Sequence, residues 1–447
     1  MLFFQLNTQM LLQPNNFEFG SAFKVNSRER LENYLQRVWL QYRQLNGAEV
    51  DGEDLPNRQR FLSFDGNLAR ARNFIGFIQG DEDDIQIYPK VFRDSGVSAD
   101  AMIRHLFFWF DYCRKWKFPF SDVQLDTLEN VDLPELIINL ISGKLLEVIT
   151  TSPISLYEPM EESLMMPRGV LNFNRYLVNS LSKGFDHQLE CDTEPLLFDN
   201  RLNRAIKYVA RVLLTRAKFR ETTKKLDEII FILDEVEDCF CTSRSLDGVK
   251  LNPFYSDYHM VIGLCRMVLD QQIYSNNHEQ HSHWCLLLPM EYVFEDFIAG
   301  FLIRHFSDKW IVEYQKSEMY LTDQKVFRMQ HDIFLTSRSS PEIQIIVDTK
   351  YKLRGDYKSD RKRGVDQSDL YQMTSYAIRR GCKNVLLLYP NQSDIESEED
   401  LFSISGHPGE MKIDVYAAEI PFWSPENTAV ITAKLKDRLG SLLMNFL

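Results

Sequence analysis

The chain has 447 residues, 44% of them hydrophobic. A chain longer than about 250 to 300 residues usually forms more than one hydrophobic core, so two or three domains are expected. Lysine and arginine number 51 against 64 aspartates and glutamates, and the formal net charge of −13 excludes a globally basic nucleic-acid-binding protein. A local basic surface is not excluded. At about 0.1 M salt the field of each charge extends only roughly 10 Å, so the net charge does not fix the potential at every point of the surface.

The cysteines and the first residues bear on the cellular compartment. The 7 cysteines are scattered and odd in number, which favours reduced thiols over a disulfide scaffold. The start of the chain, MLFFQLNTQMLL, lacks a basic leader and a small-residue cleavage site. Apolar runs stay short of the roughly 18 to 20 residues that span a bilayer. We therefore expect a soluble cytoplasmic protein with no membrane partner.

Residues 1–165 mix strand and helix patterns and are expected to form an N-terminal mixed β/α domain. Apolar residues recur at helical spacing in RERLENYLQRVWLQYRQL, and two strand candidates, NFIGFIQG and IQIYPKVF, flank the acidic turn DEDD. Periodicity does not decide whether AMIRHLFFWFDYC is a buried helix or a strand. Prolines at Pro153, Pro159 and Pro167 indicate a boundary.

Residues 166–285 are expected to be mostly helical, and no chemistry is visible in them. Helical periodicity is clearest in NRLNRAIKYVARVLLTRAKF, TKKLDEIIFILDEVEDCF and DYHMVIGLCRMVLDQQI. Residues 286–447 change to helix, strands, helix and strands, which predicts an α/β domain. The fold class is therefore α+β multidomain, with a helical region between two domains that contain sheets.

The residues with the clearest chemical meaning lie in the predicted strand EIQIIVDTKYK. Strand alternation places Ile343, Ile345 and Val347 on one face, and Asp348 and Lys350 on the other. One face packs while the other presents a carboxylate and an amine two residues apart.

A second carboxylate comes from the preceding strand, FRMQHDIFLT. A hairpin centred near Ser339 would set Asp332 opposite Ile346, with Asp348 on the diagonal of the same face, about 7 to 8 Å away. Two carboxylates would then converge on one cation.

A hard divalent cation suits this group of oxygen atoms. Asp332, Asp348 and the backbone carbonyl of Thr349 would serve as ligands for Mg²⁺, with Mn²⁺ as an alternative. Such an ion polarises a phosphodiester and acidifies a bound water, and Lys350 would orient that water or stabilise developing charge. The predicted chemistry is hydrolytic strand cleavage.

A D-x-K motif at a strand end is most often a solvated surface, but its surroundings favour a site. A preceding helix carries Glu295, a third candidate carboxylate, and the following helix carries Gln372 and Tyr376 on one face. The segment KYKLRGDYKSDRKRG is locally basic and suits a polyanionic substrate. The predicted DNA-binding cations are Lys352, Arg354, Lys358, Arg361, Lys362 and Arg363.

These residues resemble a known family. Their order along the chain is Glu295, Asp332, Asp348, Thr349, Lys350, Gln372 and Tyr376. This order resembles the PD-(D/E)xK nuclease core, and VDTKYK with DLYQMTSYA is similar to the McrC-like nuclease subunits of McrBC modification-dependent restriction systems. Similarity extends to FIGFIQGDEDDIQIYPKVF near the N-terminus and to RGVLNF and FDNRLNRAIKYVARVLL in the centre.

One position departs from the family pattern. His331 stands where the family usually has proline, so that the first half of the motif is HD. That proline is a backbone preference and not a ligand, so we expect the site to be retained. We expect His331 to pack on the face opposite Asp332 and to take no part in catalysis.

The resemblance implies a restriction-endonuclease-like fold for 286–447 and a type IV restriction-type endodeoxyribonuclease in a phage-defence complex. It implies a hexameric McrB-like AAA+ GTPase as partner, which recognises methylated double-stranded DNA and whose GTP hydrolysis the N-terminal domain stimulates. By this resemblance, Gly76 to Lys90 fall in the partner-binding domain, 1–165. The implied catalytic residues are Asp332, Asp348, Lys350, Glu295 and Gln372, with metal ligands Asp332, Asp348 and Thr349. The chain has no phosphate-binding G-x-x-x-x-G-K-[ST] loop of its own, since the sequence at Gly143-Lys144 lacks the first glycine.

Other residue groups support weaker interpretations. The group His278, His281, His283 and Cys285 has enough donors for zinc, but its spacing fits no standard pattern. The pair Cys239 and Cys241 suits packing better than redox work. Two other functional classes stay open, namely a non-catalytic adaptor that activates a motor and binds DNA, and a stand-alone PD-(D/E)xK repair nuclease.

Overall fold

The computed structural model divides into two compact units. The first unit combines Met1–Leu133 with Ile273–Leu447, and the second unit is Pro134–Gln272. The expected boundaries at 165 and 285 differ from this division, since both ends of the chain share the first unit. The functions assigned to the first and last predicted segments stay predictions. The structure describes residues 16–46, 58–79, 84–93, 95–114, 133–270, 284–314, 319–329, 331–354, 360–391, 399–405, 412–425 and 428–446.

The secondary structure alternates throughout the chain. The strands are β1 (Phe23–Lys24), β2 (Leu62–Asp65), β3 (Leu68–Ala71), β4 (Phe74–Gln79), β5 (Asp84–Ile87), β6 (Leu156–Tyr157), β7 (Met160–Leu164), β8 (Val170–Leu171), β9 (Leu189–Thr193), β10 (Leu196–Leu197), β11 (Trp284–Pro289), β12 (Trp310–Tyr314), β13 (Met319–Tyr320), β14 (Arg328–Met329), β15 (Ile333–Ser337), β16 (Gln344–Thr349), β17 (Asn384–Pro390), β18 (Asp400–Ile404) and β19 (Ile413–Ile420). The α-helices are α1 (Arg28–Asn46), α2 (Ala99–Tyr112), α3 (Leu133–Thr151), α4 (Phe173–Arg175), α5 (Arg201–Leu214), α6 (Arg220–Ile232), α7 (Tyr258–Asp270), α8 (Met290–Phe306), α9 (Gln367–Arg380) and α10 (Thr428–Met444).

Strand pairing explains why the two ends of the chain share one unit. Strand β4 lies between β5 and β11, with Gly76 opposite Ile87 on one side and Leu287 on the other. Gly76 has φ +127°, and a Cβ added there would lie 2.0 Å from the carbonyl oxygen of Leu286. A side chain would therefore clash with the neighbouring backbone, and only glycine allows this close pairing. Helix α1 and the β1–β3–β2 sheet complete the same hydrophobic core.

The larger sheet of the first unit has the strand order β12-β15-β16-β17-β19-β18. Strand β16 pairs antiparallel with β15 and parallel with β17. Helix α8 packs against β16, and helix α9 packs against β17. The ambiguous segment AMIRHLFFWFDYC forms helix α2, which packs so closely on α8 that a Cβ at Gly300 would lie 1.8 Å from the carbonyl oxygen of Tyr112.

The second unit contains the predicted helices α5, α6 and α7, but it is not helical throughout. Between residues 156 and 197, the short strands β6 to β10 form the sheets β7-β9-β8 and β10-β6. Strands β8, β9 and β10 lie inside the segment predicted to be mostly helical, 166–285, so this prediction is wrong for these three strands. The sequence pattern does not predict these strands because they are only two to five residues long, and β7 has only exposed and partly buried residues. The same stretch exposes large apolar side chains, namely Tyr157, Met165, Met166, Val170, Phe173 and Val178.

Within the residues that the structure describes, no helix combines the length and the apolar character needed to cross a bilayer.

Candidate active site

The two central aspartates lie at the same end of neighbouring strands. The register of β15 and β16 pairs Ile333 with Val347 and Phe334 with Ile346. Continued by one residue, this register puts Asp332 directly across from Asp348. The predicted pairing of Asp332 with Ile346 is therefore wrong by two residues, and the two carboxylates are closer in register than expected.

The turn of the hairpin accounts for this difference in register. The backbone N–H of Ser337 donates to the carbonyl of Ile343 over 3.0 Å, which centres the hairpin on Ser340 and not on Ser339. The Ser337 hydroxyl also accepts from the N–H of Ser340, at 3.3 Å. The position of the turn thus accounts for the pairing, because moving the centre by one residue shifts the register by two.

Asp332 is held by the strand that carries Asp348. Its Oδ2 accepts hydrogen bonds from the backbone N–H of Thr349 at 2.7 Å and from the Thr349 hydroxyl at 2.6 Å. These two bonds fix the Asp332 carboxylate beside the end of β16. Thr349 therefore orients one candidate metal ligand in addition to offering its own carbonyl.

Asp348 is a buried carboxylate, with only 3% of its surface exposed. Its Oδ2 lies 2.8 Å from Nζ of Lys350. Burial and the nearby charge of Asp332 raise the pKa of Asp348 to about 7, against the lowering effect of Lys350. Although burial disfavours the charged amine, Asp348, Asp332 and Asp369 together raise the pKa of Lys350, which keeps it protonated.

Asp369 belongs to this site and was missed in the sequence. It is buried in the first turn of α9, with Oδ1 3.9 Å from Nζ of Lys350 and Oδ2 2.9 Å from Nζ of Lys352. A signal was present, because Asp369, Met373 and Ala377 form the buried stripe of α9 at a spacing of four. A carboxylate on an apolar stripe requires a partner, and Lys350 and Lys352 are its partners.

Gln372 and Tyr376 lie on one face of α9, as predicted. Gln372 is exposed, and its Nε2 donates to the Tyr376 hydroxyl over 3.3 Å. On this helix Asp369, one turn earlier, is the residue that approaches Lys350. The catalytic assignment of Gln372 stays a prediction.

Glu295 is buried on α8, with 8% of its surface exposed. Burial, together with the charges of Glu295, Asp296 and Asp332, raises the pKa of Tyr314 on β12. Glu295 thus shares an acidic neighbourhood with Asp332. Within the part of the chain that the structure describes, however, histidine, cysteine, aspartate and glutamate side chains do not gather in threes as a metal site. The candidate donors, the carboxylates of Asp332 and Asp348 and the carbonyl of Thr349, are all oxygen atoms, which suit a hard cation that keeps several waters.

His331 packs inside the protein, as predicted. It is 1% exposed, lies beside the rings of Phe334 and Tyr376, and its Nε2 accepts a 2.9 Å hydrogen bond from Arg380. Burial and the charge of Arg380 lower the pKa of His331 to about 4. A neutral, buried imidazole of this kind serves packing.

The predicted DNA-binding cations differ in their exposure to solvent. Arg354 is buried, 2.6 Å from Asp400, with its guanidinium donating to the carbonyl of Arg363 and lying 5.3 Å from the ring centre of Tyr389. It is engaged inside the protein and is not presented to DNA, contrary to expectation.

The other cations of the basic segment lie nearer to solvent. Lys352 is exposed but forms ion pairs with Asp366 and Asp369. Arg361, Lys362 and Arg363 are exposed. Arg363 lies 3.5 Å from Asp400, and Lys362 lies 3.4 Å from the side-chain oxygen of Gln367. Lys358 lies outside the described residues.

The described residues do not support either of the weaker candidate groups, the zinc group and the cysteine pair. Three members of the zinc group, His278, His281 and His283, lie outside the described residues. Burial in β11 raises the pKa of the fourth, Cys285, to about 12, which disfavours the thiolate that a metal needs. Cys239 and Cys241 are free thiols with their sulfur atoms 3.6 Å apart.

Comparison with known proteins gives the family of the chain and a similar fold. A family model described as "McrBC 5-methylcytosine restriction system component" matches residues 69–390. No curated protein matches the chain. The fold is similar to a refined half-complex from a tetradecameric assembly of Thermococcus gammatolerans McrB AAA+ hexamers with bound McrC, with TM-score 0.66, 16% identity and coverage of 96% of this chain and 99% of that chain. A cryo-EM structure of the Thermococcus gammatolerans McrBC complex matches with TM-score 0.48 and 18% identity, over 65% of this chain and 87% of that chain.

We predict that Arg354→Met destabilises the protein by about 3 to 5 kcal/mol, because it leaves Asp400 partly buried without its closest cation. Arg361→Met, at an exposed position of the same basic segment, should change the free energy of unfolding by less than about 0.5 kcal/mol. Denaturant unfolding of both variants measures the difference. Equal, small effects would mean that the buried pair contributes nothing to stability.

Proposed function

The chain belongs to the McrBC 5-methylcytosine restriction system family, and we propose from this membership that it is the Mg²⁺-dependent DNA endonuclease subunit of a restriction complex. The proposed substrate is methylated foreign double-stranded DNA. The observation that carries the proposal is the placement of Asp332, Asp348 and Lys350 together at the ends of β15 and β16. A site that only bound DNA would not require buried carboxylates, so these residues favour a nuclease over a non-catalytic adaptor.

Asp332, Asp348 and the carbonyl of Thr349 are the proposed ligands of Mg²⁺ or Mn²⁺. When bound, such an ion supplies Lewis-acid polarisation of the phosphodiester and a water of lowered pKa. Lys350 remains protonated next to Asp348 and is placed to orient a water or to balance negative charge on the phosphate. Asp369 approaches the same amine from α9 and limits where it can point.

The proposed partner is a hexameric McrB-like AAA+ GTPase whose GTP hydrolysis this chain stimulates. The proposal rests on family membership and on the similar McrC, which is bound to McrB AAA+ hexamers in its structure. The described residues of the hairpin, in β4 and β5, have mostly buried side chains. The second unit, by contrast, exposes Met166 at 79% and Val170 at 70%, and exposed apolar patches commonly mark protein interaction sites.

We expect Asp348→Asn to reduce DNA cleavage by at least about 100-fold, because it removes a charged metal ligand worth several kcal/mol in the transition state. Stimulation of the partner's GTP hydrolysis should be unchanged. The measurement is cleavage of methylated plasmid by the complex with GTP and Mg²⁺. Asp414→Asn, the same change at β19 of the same sheet, is the matched control and should cut normally. Cleavage by Asp348→Asn at the wild-type rate would refute the site.

Binding of Mn²⁺ should depend on pH around the raised pKa of Asp348. Below about pH 7 this carboxyl holds a proton in the metal-free protein, and the ion has to displace it. Affinity should therefore fall about tenfold from pH 8 to pH 6, as the ionised fraction drops from about nine-tenths to one-tenth. Titration calorimetry with Mn²⁺ alone measures this. Equal affinity at both pH values would mean that Asp348 is not a ligand.

DNA binding should become less dependent on salt when Arg361 and Lys362 are both changed to glutamine. Removing one contact to a phosphate lowers the slope of log affinity against log salt by about 0.9. Arg379→Gln is the control, because Arg379 is an exposed cation near the opposite end of α9, about 20 Å along the helix. Fluorescence anisotropy with duplex DNA at several salt concentrations gives the slopes. An unchanged slope in the double variant would show that the exposed basic segment does not contact phosphate.

A further inference from the structure

A buried polar cluster connects the N-terminal segment to the residue that follows Lys350. The cluster consists of Glu18, Lys90 and Tyr351, where Glu18 is 0% and Tyr351 is 2% exposed. It has no part in the proposed chemistry. Tyr351 is one residue beyond Lys350, so the cluster lies where the strand with the candidate ligands leaves the sheet.

The N-terminal half of the cluster is held together by backbone hydrogen bonds. The N–H of Glu18 donates to the carbonyl of Tyr88 over 3.0 Å, and the N–H of Tyr88 donates to the carbonyl of Asn16 over 2.9 Å. The N–H of Lys90 donates to Oε2 of Glu18 at 3.1 Å. Asn16, Glu18 and Lys90 therefore belong to one rigid edge, next to β5.

Tyr351 is held at three points by this edge. Nζ of Lys90 donates to the Tyr351 carbonyl over 2.8 Å and lies 4.3 Å from the centre of the Tyr351 ring. The Tyr351 hydroxyl donates to Oε2 of Glu18 over 2.9 Å. Burial lowers the pKa of Lys90 and raises that of Glu18 to about 7, so this arrangement opposes the usual preference of both groups for water.

The end of β16 is also held by backbone hydrogen bonds of Lys350. The N–H of Lys350 donates to the carbonyl of Leu388 on β17 over 2.8 Å, and the N–H of Lys352 donates to the carbonyl of Lys350 over 2.7 Å. Lys350 is thus fixed by β17 on one side, and the next residue is fixed by Lys90. Without Lys90, the Tyr351 carbonyl would have no ammonium to hold it in place.

We propose that Lys90 is a positioning residue, which fixes the end of β16 and thereby places the amine of Lys350 beside Asp348. Lys90 does not touch the reacting groups and acts through the backbone of Tyr351. The effect on cleavage rests on the proposed nuclease function, whereas the fixing of the strand end does not.

The first test compares Lys90→Met, which keeps an apolar stem but removes the donor, with Lys90→Arg, which keeps a charged donor. In the complex with the partner GTPase, GTP and Mg²⁺, Lys90→Met should lower the single-turnover cleavage rate at least tenfold while DNA affinity is unchanged. Lys90→Arg should recover most of the rate. Lys24→Met, at an exposed position on β1, is the control. Wild-type cleavage by Lys90→Met, or a loss that Lys90→Arg does not rescue, would overturn the proposal.

The second test works without nuclease activity. Hydrogen exchange in the full chain should be at least tenfold faster in Lys90→Met at the amides of Lys350 and Lys352, and unchanged in β19. Unchanged exchange at Lys350 would overturn the proposal even if cleavage fell. If the wild-type complex does not cut DNA, the nuclease proposal fails, while the exchange result still decides whether Lys90 fixes the strand end. If Lys90→Met does not fold, Lys90→Leu replaces it with the same expectations, because leucine also lacks a donor for the Tyr351 carbonyl.

Discussion

The carboxylate of Asp348 is buried at the end of a central strand with a second carboxylate, Asp332, across from it. In water each would be hydrated and would repel the other weakly, but in the interior burial and repulsion add, and the pKa of Asp348 rises to about 7. Neighbouring groups stabilise these two carboxylates. Thr349 donates two hydrogen bonds to Asp332, and Lys350 places a positive charge against Asp348.

The sheet provides the rigidity that this arrangement needs. Strand β16 has an antiparallel neighbour on one side and a parallel neighbour on the other, so its backbone cannot slide without breaking both ladders. Helix α9 brings Asp369 within 3.9 Å of the amine of Lys350. Beyond the sheet, Lys90 holds the carbonyl of Tyr351. A series of contacts thus runs from the N-terminal segment, through the strand end, to the candidate ligands.

The sequence predicted the elements that have strong periodicity and the chemistry that lies within a single strand. Asp348 and Lys350 were found because the D-x-K motif follows an apolar strand. The register with Asp332 was missed because the position of the turn sets it, and strand alternation does not report where a turn is centred. Arg354 was misplaced for a related reason: a run of basic residues shows charge but not burial, and its partner Asp400 lies 46 residues further along the chain. Asp369 appeared to be an ordinary acidic residue at a helix start, because its partners come from another element.

The pairing of β4 with β11 has a consequence for how the protein is made. Gly76 and Leu287 are neighbours in the sheet but lie about 200 residues apart in the chain, and the whole of the second unit is translated between them. At about 5 to 20 residues per second, the ribosome needs roughly 10 to 40 s to make that stretch. During this time β4, whose residues are almost all buried in the finished fold, has an open edge. Until β11 emerges, this edge of β4 lacks its partner strand, and an unpaired strand edge is a site where another chain can pair.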